Sequence, residues 1–333
     1  MFANIVRSAR RARITLITFC ASLLTIFAFQ AHSATYPNMP IRIVVPFPAG
    51  GVTDIVARTL ANDLGKQFGS PVIVENKPGA SATIGARYVA NQNPDGYTLL
   101  VGTNGTHGTN VSTFANLGYD AERDFVPVTM LGETSLMILV HDEVPADNLQ
   151  EFVSALKSGE FQASYGSTGV GGGVHLITEL FLTEVGASMQ HVPYKGSSHA
   201  LTDLMGKHID VMFDNIASSL NLVQEGKLKA LAVTGTERSD LIPNTPSVKE
   251  TGVADFVAGN WLGVYAPAGT SQNIVDKLNQ AINTALRNPD VANALTKAGF
   301  VPAGGSADEF RERTRQEIEK WALVTEKIGL QPQ

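Results

Sequence analysis

Residues 48–54 and 167–173 are two glycine-rich stretches, each set between a strand-like run and an apolar helical pattern. A turn that leaves the C-terminal end of a parallel strand and opens a helix presents free backbone N–H groups and the positive end of the helix dipole. Both favour an anion, and glycine lets a ligand approach the backbone closely. The candidate contacts are Phe47, Ala49, Gly50, Gly51 and Thr53 at the first turn, and Ser167, Thr168 and Gly169 at the second. Neither turn contains Lys or Arg, so capture would be dipolar, water-assisted and reversible. Facing each other, the two turns would suit a ligand with an acid group at each end. The plainer alternative is that one of them is a tight connection.

Other polar residues fall near these turns. Asp54 lies in a first helical turn, as a cap or as an orienter of an amino or hydroxyl group. Thr103 and Asn104 follow a strand, where open α/β sheets bind ligands. Tyr194, before Lys195-Gly196-Ser197, either walls a cleft or packs. His175 and Glu179 stand four apart on a helix, but no H-E-x-x-H and no third ligand is near, so no metal is expected. The glycines from Gly166 to Gly173 do not follow G-x-G-x-x-G, and no G-x-x-x-x-G-K-[ST] occurs, which argues against nucleotide cofactors. Ser167 lacks the G-x-S-x-G elbow, so no catalysis and no cofactor is expected.

The elements that must position these residues alternate. Ile41 to Val45 reads as a buried strand ended by Pro46. A helix capped by Thr53 or Asp54 follows, with Val56, Leu60 and Leu64 on its apolar face and Gly65 as its stop. Strands at 72–74 and 97–101 flank a helix marked by Ile84, Tyr88 and Val89. The alternation resumes with strands at 162–165, 189–192, 211–213, 228–233 and 261–265. The helices there carry Leu176, Ile177, Leu180 and Phe181, then Leu201 and Leu204. The chain closes with helices bearing Ile274, Leu278 and Ile282, then Phe310, Ile318 and Trp321. Strand–helix–strand alternation is the mark of an α/β fold with parallel sheets flanked by helices. The 333 residues suit two lobes.

The first 33 residues obey another rule. Arg7, Arg10, Arg11 and Arg13 precede an apolar run from Ile14 to Phe29, and small residues follow, the order of a secretory signal peptide cleaved near Ser33 or Ala34. Cys20, the single cysteine, lies in that segment and follows Phe19, which argues against a lipid anchor. Removing the four arginines takes the net charge from −6 to −10. An acidic chain without a basic run is a poor nucleic-acid binder and a soluble, monomer-prone protein.

Taken as a set, several segments resemble the Bug (TctC-type) family of extracytoplasmic receptors of tripartite tricarboxylate transporters. They include Val45-Pro46-Phe47-Pro48-Ala49-Gly50-Gly51 with Asp54, Glu75-Asn76-Lys77-Pro78-Gly79, Pro94-Asp95-Gly96-Tyr97, Tyr165-Gly166-Ser167, His175-Leu176 and Val192-Pro193-Tyr194-Lys195-Gly196. The resemblance implies a two-lobed periplasmic-binding-protein type II fold. Lobe 1 would be 34–138 plus 257–333 and lobe 2 would be 139–256. It also implies a small carboxylate ligand held through backbone amides and water, and membrane permease subunits as partners. Departures are Ser81-Ala82-Thr83, where a glycine-rich continuation is usual, and the extra glycines at 171–173.

On this reading a periplasmic receptor docks an acid group on the 49–53 backbone. The second lobe then swings in with Ser167, Thr168, Tyr194 and Asp214 or Asn215. The alternatives are a ligand-presenting partner of a membrane kinase and an exported hydrolase on an α/β scaffold.

Overall fold

Ile41, Ile43, Val44 and Val45 are buried in β1 (Ile41–Val45) because the strand has parallel neighbours on both edges, β2 (Val72–Asn76) and β3 (Thr98–Thr103). A strand covered on both faces needs apolar side chains at nearly every position, so the run shows no strict alternation. The computed structural model describes residues 36–332; the expected leader, its expected cleavage point and Cys20 lie outside them. Every element belongs to the unit Met39–Gln333.

Helix α1 (Val52–Phe68) joins β1 to β2, and α2 (Thr83–Ala90) joins β2 to β3. Two expectations fail at α1. Its N-cap is Gly51, not Thr53 or Asp54, and it runs through Gly65 to Phe68. The stop is Gly69, whose left-handed backbone (φ 62°) turns the chain out of the helix.

A short helix, α3 (Asn110–Thr113), leads toward β4 (Phe125–Val140), a 16-residue strand that the sequence reading does not anticipate. Pro127, Gly132 and the polar run Glu133-Thr134-Ser135 conceal it. The ladder accommodates them through register shifts between Pro127 and Thr129 and between Met130 and Gly132. From Phe125 to Ser135 it pairs with β9 (Gly259–Pro267). From Leu136 to Val140 it pairs with β7 (Val211–Asn215), and from Met137 to Val140 with β8 (Lys229–Val233).

Beyond β4 lies α4 (Leu149–Ser158), and then the second parallel ladder. There β5 (Ser164–Ser167) pairs with β6 (Gln190–Pro193) on one side and with β7 on the other. Helices α5 (Gly173–Val185) and α6 (Ser197–Met205) connect these strands, and α7 (Ile216–Gln224) follows β7. The sheet order is β2-β1-β3-β9-β4-β7-β5-β6. Two parallel ladders are thus joined through the antiparallel strands β9 and β4.

After β9 come α8 (Gln272–Arg287), α9 (Pro289–Lys297), β10 (Val301–Pro302) and α10 (Ala307–Lys327). A capping box between Ser306 and Glu309 starts α10. Its Phe310 packs edge-on to Trp261 and against Tyr265 in the core around β1 and β3. Its Trp321 belongs to the core of the other ladder, with Leu176, Ile177 and Phe181. One helix therefore seals both cores, each anchor contributing roughly 2–3 kcal/mol by burial.

Candidate functional site

Three helices begin at one cavity, and each has a glycine as its N-cap. Gly51 precedes α1, Gly172 precedes α5 and Gly196 precedes α6, and none supplies a side-chain cap. Ser, Asp or Asn there would satisfy a first-turn amide; glycine leaves it open. The first backbone bonds run from Ile55 N–H to Gly51 C=O (3.0 Å), Leu176 N–H to Gly172 C=O (3.1 Å) and Ala200 N–H to Gly196 C=O (3.5 Å). The amides ahead of these donors have no intrahelical acceptor. Asn215, the N-cap of α7, adds a fourth helix start.

The cavity encloses ≈ 670 Å³ with its mouth included, and lies outside the C-terminal ends of β1, β3, β5 and β7. No lining residue is Lys, Arg, His, Asp or Glu. Apolar walls come from Phe47, Pro48, Val52, Val174 and Leu262. Asn104 is 2% exposed, and its Nδ2 has no hydrogen-bond partner among the described residues. An unpartnered buried donor costs about 1–3 kcal/mol, and Nδ2 is free to donate into the cavity that Asn104 lines. A Cβ added at Gly173 would sit 2.6 Å from Asn104 Nδ2, and one at Gly196 would sit 2.8 Å from Pro48 Cδ. Glycine at these two positions lets the two ladders' turns meet.

The first turn is locked by charge. Asp54 accepts from Gly50 N–H (3.0 Å), from Arg58 Nε (3.0 Å) and from Asn76 Nδ2 (2.9 Å). Burial pushes its pKa up, but the hydrogen bonds from Arg58, Gly50 and Asn76 outweigh that and hold it below the usual carboxylate range.

Neutral rings lock the second turn. His175 and His191 stack with centroids 3.9 Å apart, and Tyr165 continues the stack at 4.9 Å from His191. Gly171 N–H donates to His175 Nδ1 (2.9 Å). Ser167 Oγ lies 2.6 Å from His191 Nε2 and accepts Gly169 N–H at 3.2 Å. Burial drives His175 to about 3, helped by its neighbour His191, and burial alone drives His191 to about 4. Both imidazoles are neutral near pH 7.

Of the residues expected from the sequence, the cavity brings together Phe47, Gly51, Thr53, Thr103, Asn104, Thr168 and Asn215. Thr103 Oγ1 is already engaged, accepting the amides of Gly105 and Thr106. The remaining expected residues do not line it. Ala49 and Gly50 are exposed beside it, and the Gly50 amide is taken by Asp54. Asp54, Ser167, Gly169 and His175 lie behind the turns as their supports. Tyr194 turns away to donate its hydroxyl to Asp203 (2.8 Å), and Asp214 is buried beneath Ser197.

Residues 196–198 form a third turn of the same grammar. The strand, glycine and helix succession around Gly196 announces it. Asn260 and Leu262 also line the cavity. They alternate along β9, a signal that means nothing until the partner of β9 is known. Asn260 Nδ2 donates to Asn215 Oδ1 at 2.9 Å.

Helix starts converging on an uncharged cavity at a joint between two sheet ladders define a solute-binding protein of the periplasmic-binding type. Residues 56–330 match the tripartite tricarboxylate transporter family receptor (TctC), and the chain belongs to that family of receptors. It is 36% identical over 303 residues to protein BugT of Bordetella pertussis, covering 91% of this chain and 93% of that one. Among solved structures, a Rhodopseudomonas palustris protein with adipate superposes with a TM-score of 0.86 at 33% identity, covering 90% of this chain and 100% of that chain. MatC from the same organism, with bound malate, gives 0.82 at 34% identity, covering 87% and 99%.

Proposed function

We propose that this receptor is exported, its leader being removed near Ser33 or Ala34. It works as a monomer, capturing a small carboxylate between lobe 1 (34–138 with 257–333) and lobe 2 (139–256) and presenting it to membrane permease subunits. The observation that carries the reading is the set of three glycine-capped helix starts around an uncharged cavity, with Asn104 Nδ2 unpartnered among them. Gly51, Val52 and Thr53 offer amides to one acid group, and Gly173, Val174 and Asn104 Nδ2 offer donors to another acceptor; the Gly172 amide is spent on Gly169 C=O (3.3 Å). The similar proteins solved with adipate and malate support an acid as the guest. Closure is a hinge motion that the ligand favours by binding the closed form better.

Capture proceeds without turnover. Ser167 and His191 approach to 2.6 Å, but Ser167 is fully buried and does not line the cavity, so this pair has no access to a substrate. The test is a thermal-shift screen of the mature protein against mono-, di- and tricarboxylates, acidic amino acids and aromatic acids. An acid at a hundred times its Kd stabilises the fold by about 2.7 kcal/mol. Silence from every acid, with a shift from a sugar or a cation, refutes the reading. Recovering the acid unchanged after long incubation supports capture over hydrolysis.

A further inference from the structure

Ser197 lines the cavity, yet its proton points away from it. Its Oγ donates to Asp214 Oδ1 at 2.6 Å, and Ser218 Oγ donates to Asp214 Oδ2 at 2.7 Å. Asp214 has no exposed surface and is held by serine hydroxyls and the Asn215 amide. Among the described residues no ion pair reaches it. Burial raises its pKa to about 6 against those hydrogen bonds. At pH 7 and above it is therefore ionised and accepts only.

A serine hydroxyl has one proton and two lone pairs. With the proton committed to Asp214, Ser197 Oγ offers the cavity lone pairs alone, backed by a buried negative charge. That is the opposite polarity to the first-turn amides and Asn104 Nδ2, all of which donate. A carboxylate oxygen placed against Ser197 would be repelled; a hydroxyl or an ammonium would find an acceptor. We propose that Asp214, acting through Ser197, makes the cavity select acids that carry a hydroxyl or ammonium donor over the same acids without one. This rests on the carboxylate reading above and narrows it. Ser197 is the contact, and Asp214 is a positioning residue that fixes which way the hydroxyl points.

Isothermal calorimetry of the mature protein with succinate, malate and aspartate at pH 7.5 tests it. Malate, aspartate or both should bind at least about tenfold tighter than succinate, the worth of one hydrogen bond of about 1.4 kcal/mol. Malate alone identifies a hydroxyl, aspartate alone an ammonium. Ser197→Ala should bring the tighter acid to within about twofold of succinate, read as the ratio of the two Kd values in the same variant. Asp214→Asn, whose amide can donate to Ser197 and release its proton toward the cavity, should erase the preference too. A purely structural role for Asp214 would weaken all three acids in parallel, so the ratio separates the roles even if the variant is less stable.

Equal binding of the three acids, a preference for succinate, or a preference that survives Ser197→Ala overturns the proposal. So does failure of all three acids to bind. The carboxylate reading itself falls only if the wider screen is silent, so the two failures are distinguishable.

Discussion

The first and second glycine-rich turns perform the same task with different chemistry. Each ends a parallel strand, leaves first-turn amides uncapped and aims them into the cavity. The first is braced by an ionised network of Asp54, Arg58 and Asn76. Stacked neutral imidazoles hold the second from below. An anion site without a cation needs supports that do not compete for the guest. A carboxylate can serve only if its charge is spent elsewhere, as that of Asp54 is on Arg58, whereas a neutral ring needs no counter-charge.

The sharpest way to break the comparison is to cap the turns. Gly51 has a φ of −81° and nothing within 4 Å of an added Cβ, so serine fits there. At Gly172 the nearest atom to an added Cβ is 3.4 Å away. Gly51→Ser and Gly172→Ser should each weaken acid binding roughly tenfold or more, because the new hydroxyl occupies an amide the guest needs. Each should leave thermal stability equal or a few tenths of a kcal/mol higher. Opposite signs in calorimetry and thermal unfolding are the diagnostic. Binding unchanged by both caps would refute helix-start recognition.

Next in size is His175. His175→Leu removes the acceptor of the Gly171 amide and strands that buried donor, at about 1–3 kcal/mol. Acid affinity should fall about tenfold, while His175→Asn, whose Oδ1 can take the place of Nδ1, should recover most of it. Equal losses in the two variants would show that ring packing matters and the hydrogen bond does not.

Much of this was legible in the residues and some was not. The strand, turn and helix succession around Gly51 and Gly172 is local, so the two turns could be read directly, although the cap of the first helix is Gly51 and not the expected Thr53 or Asp54. Asp54 illustrates the limit: its position in a first turn is visible, but its commitment to Gly50, Arg58 and Asn76 depends on β2 lying beside β1. His191 could not be connected to His175, since parallel pairing of β5 and β6 and the return of α5 bring the two rings together. β4 was hidden because proline, glycine and three polar residues interrupt it, and its bulges become sensible only once its partners are known.

Acid should separate the two turns by pH. For His175 and His191 the folded values are depressed, so their contribution is complete above the unfolded value of about 6.5 and is lost as pH falls toward 4 and 3. His175 subtracts up to about 1.4 kcal/mol per pH unit in that window, and His191, which is partly solvated, subtracts less. Asp54 is also depressed, so its contribution is present above about 3.9 and is lost only as pH falls through its lowered folded value. Thermal unfolding between pH 7 and 4.5 should therefore decline with a slope that His175→Asn reduces and Asp54→Asn leaves unchanged. The reverse assignment of slopes would invert the comparison.

The smallest expected effect lies beside the first turn. Ala80, Ser81 and Ala82 all have positive φ (46°, 52° and 74°), and Ser81 Oγ donates to Val170 C=O at 2.6 Å across to the second turn. Left-handed backbone costs a non-glycine residue roughly 1–2 kcal/mol. Ala80 is exposed, so Ala80→Gly should raise stability by about 0.5 kcal/mol after the added freedom of the unfolded chain is subtracted. Denaturant titration resolves that change; a loss of stability would mean the segment is not strained.

The placement of β9 constrains how the molecule can be made. Leu100 pairs with Tyr265, and Phe125 with Pro267, so the strand that completes the N-terminal ladder comes from near the far end of the chain. A ribosome or a translocation pore releasing the chain from its N-terminus would deliver β1, β2 and β3 long before their sheet could close. Such non-local closure is slow, so β3 keeps one bare edge until the segment around residue 265 has emerged.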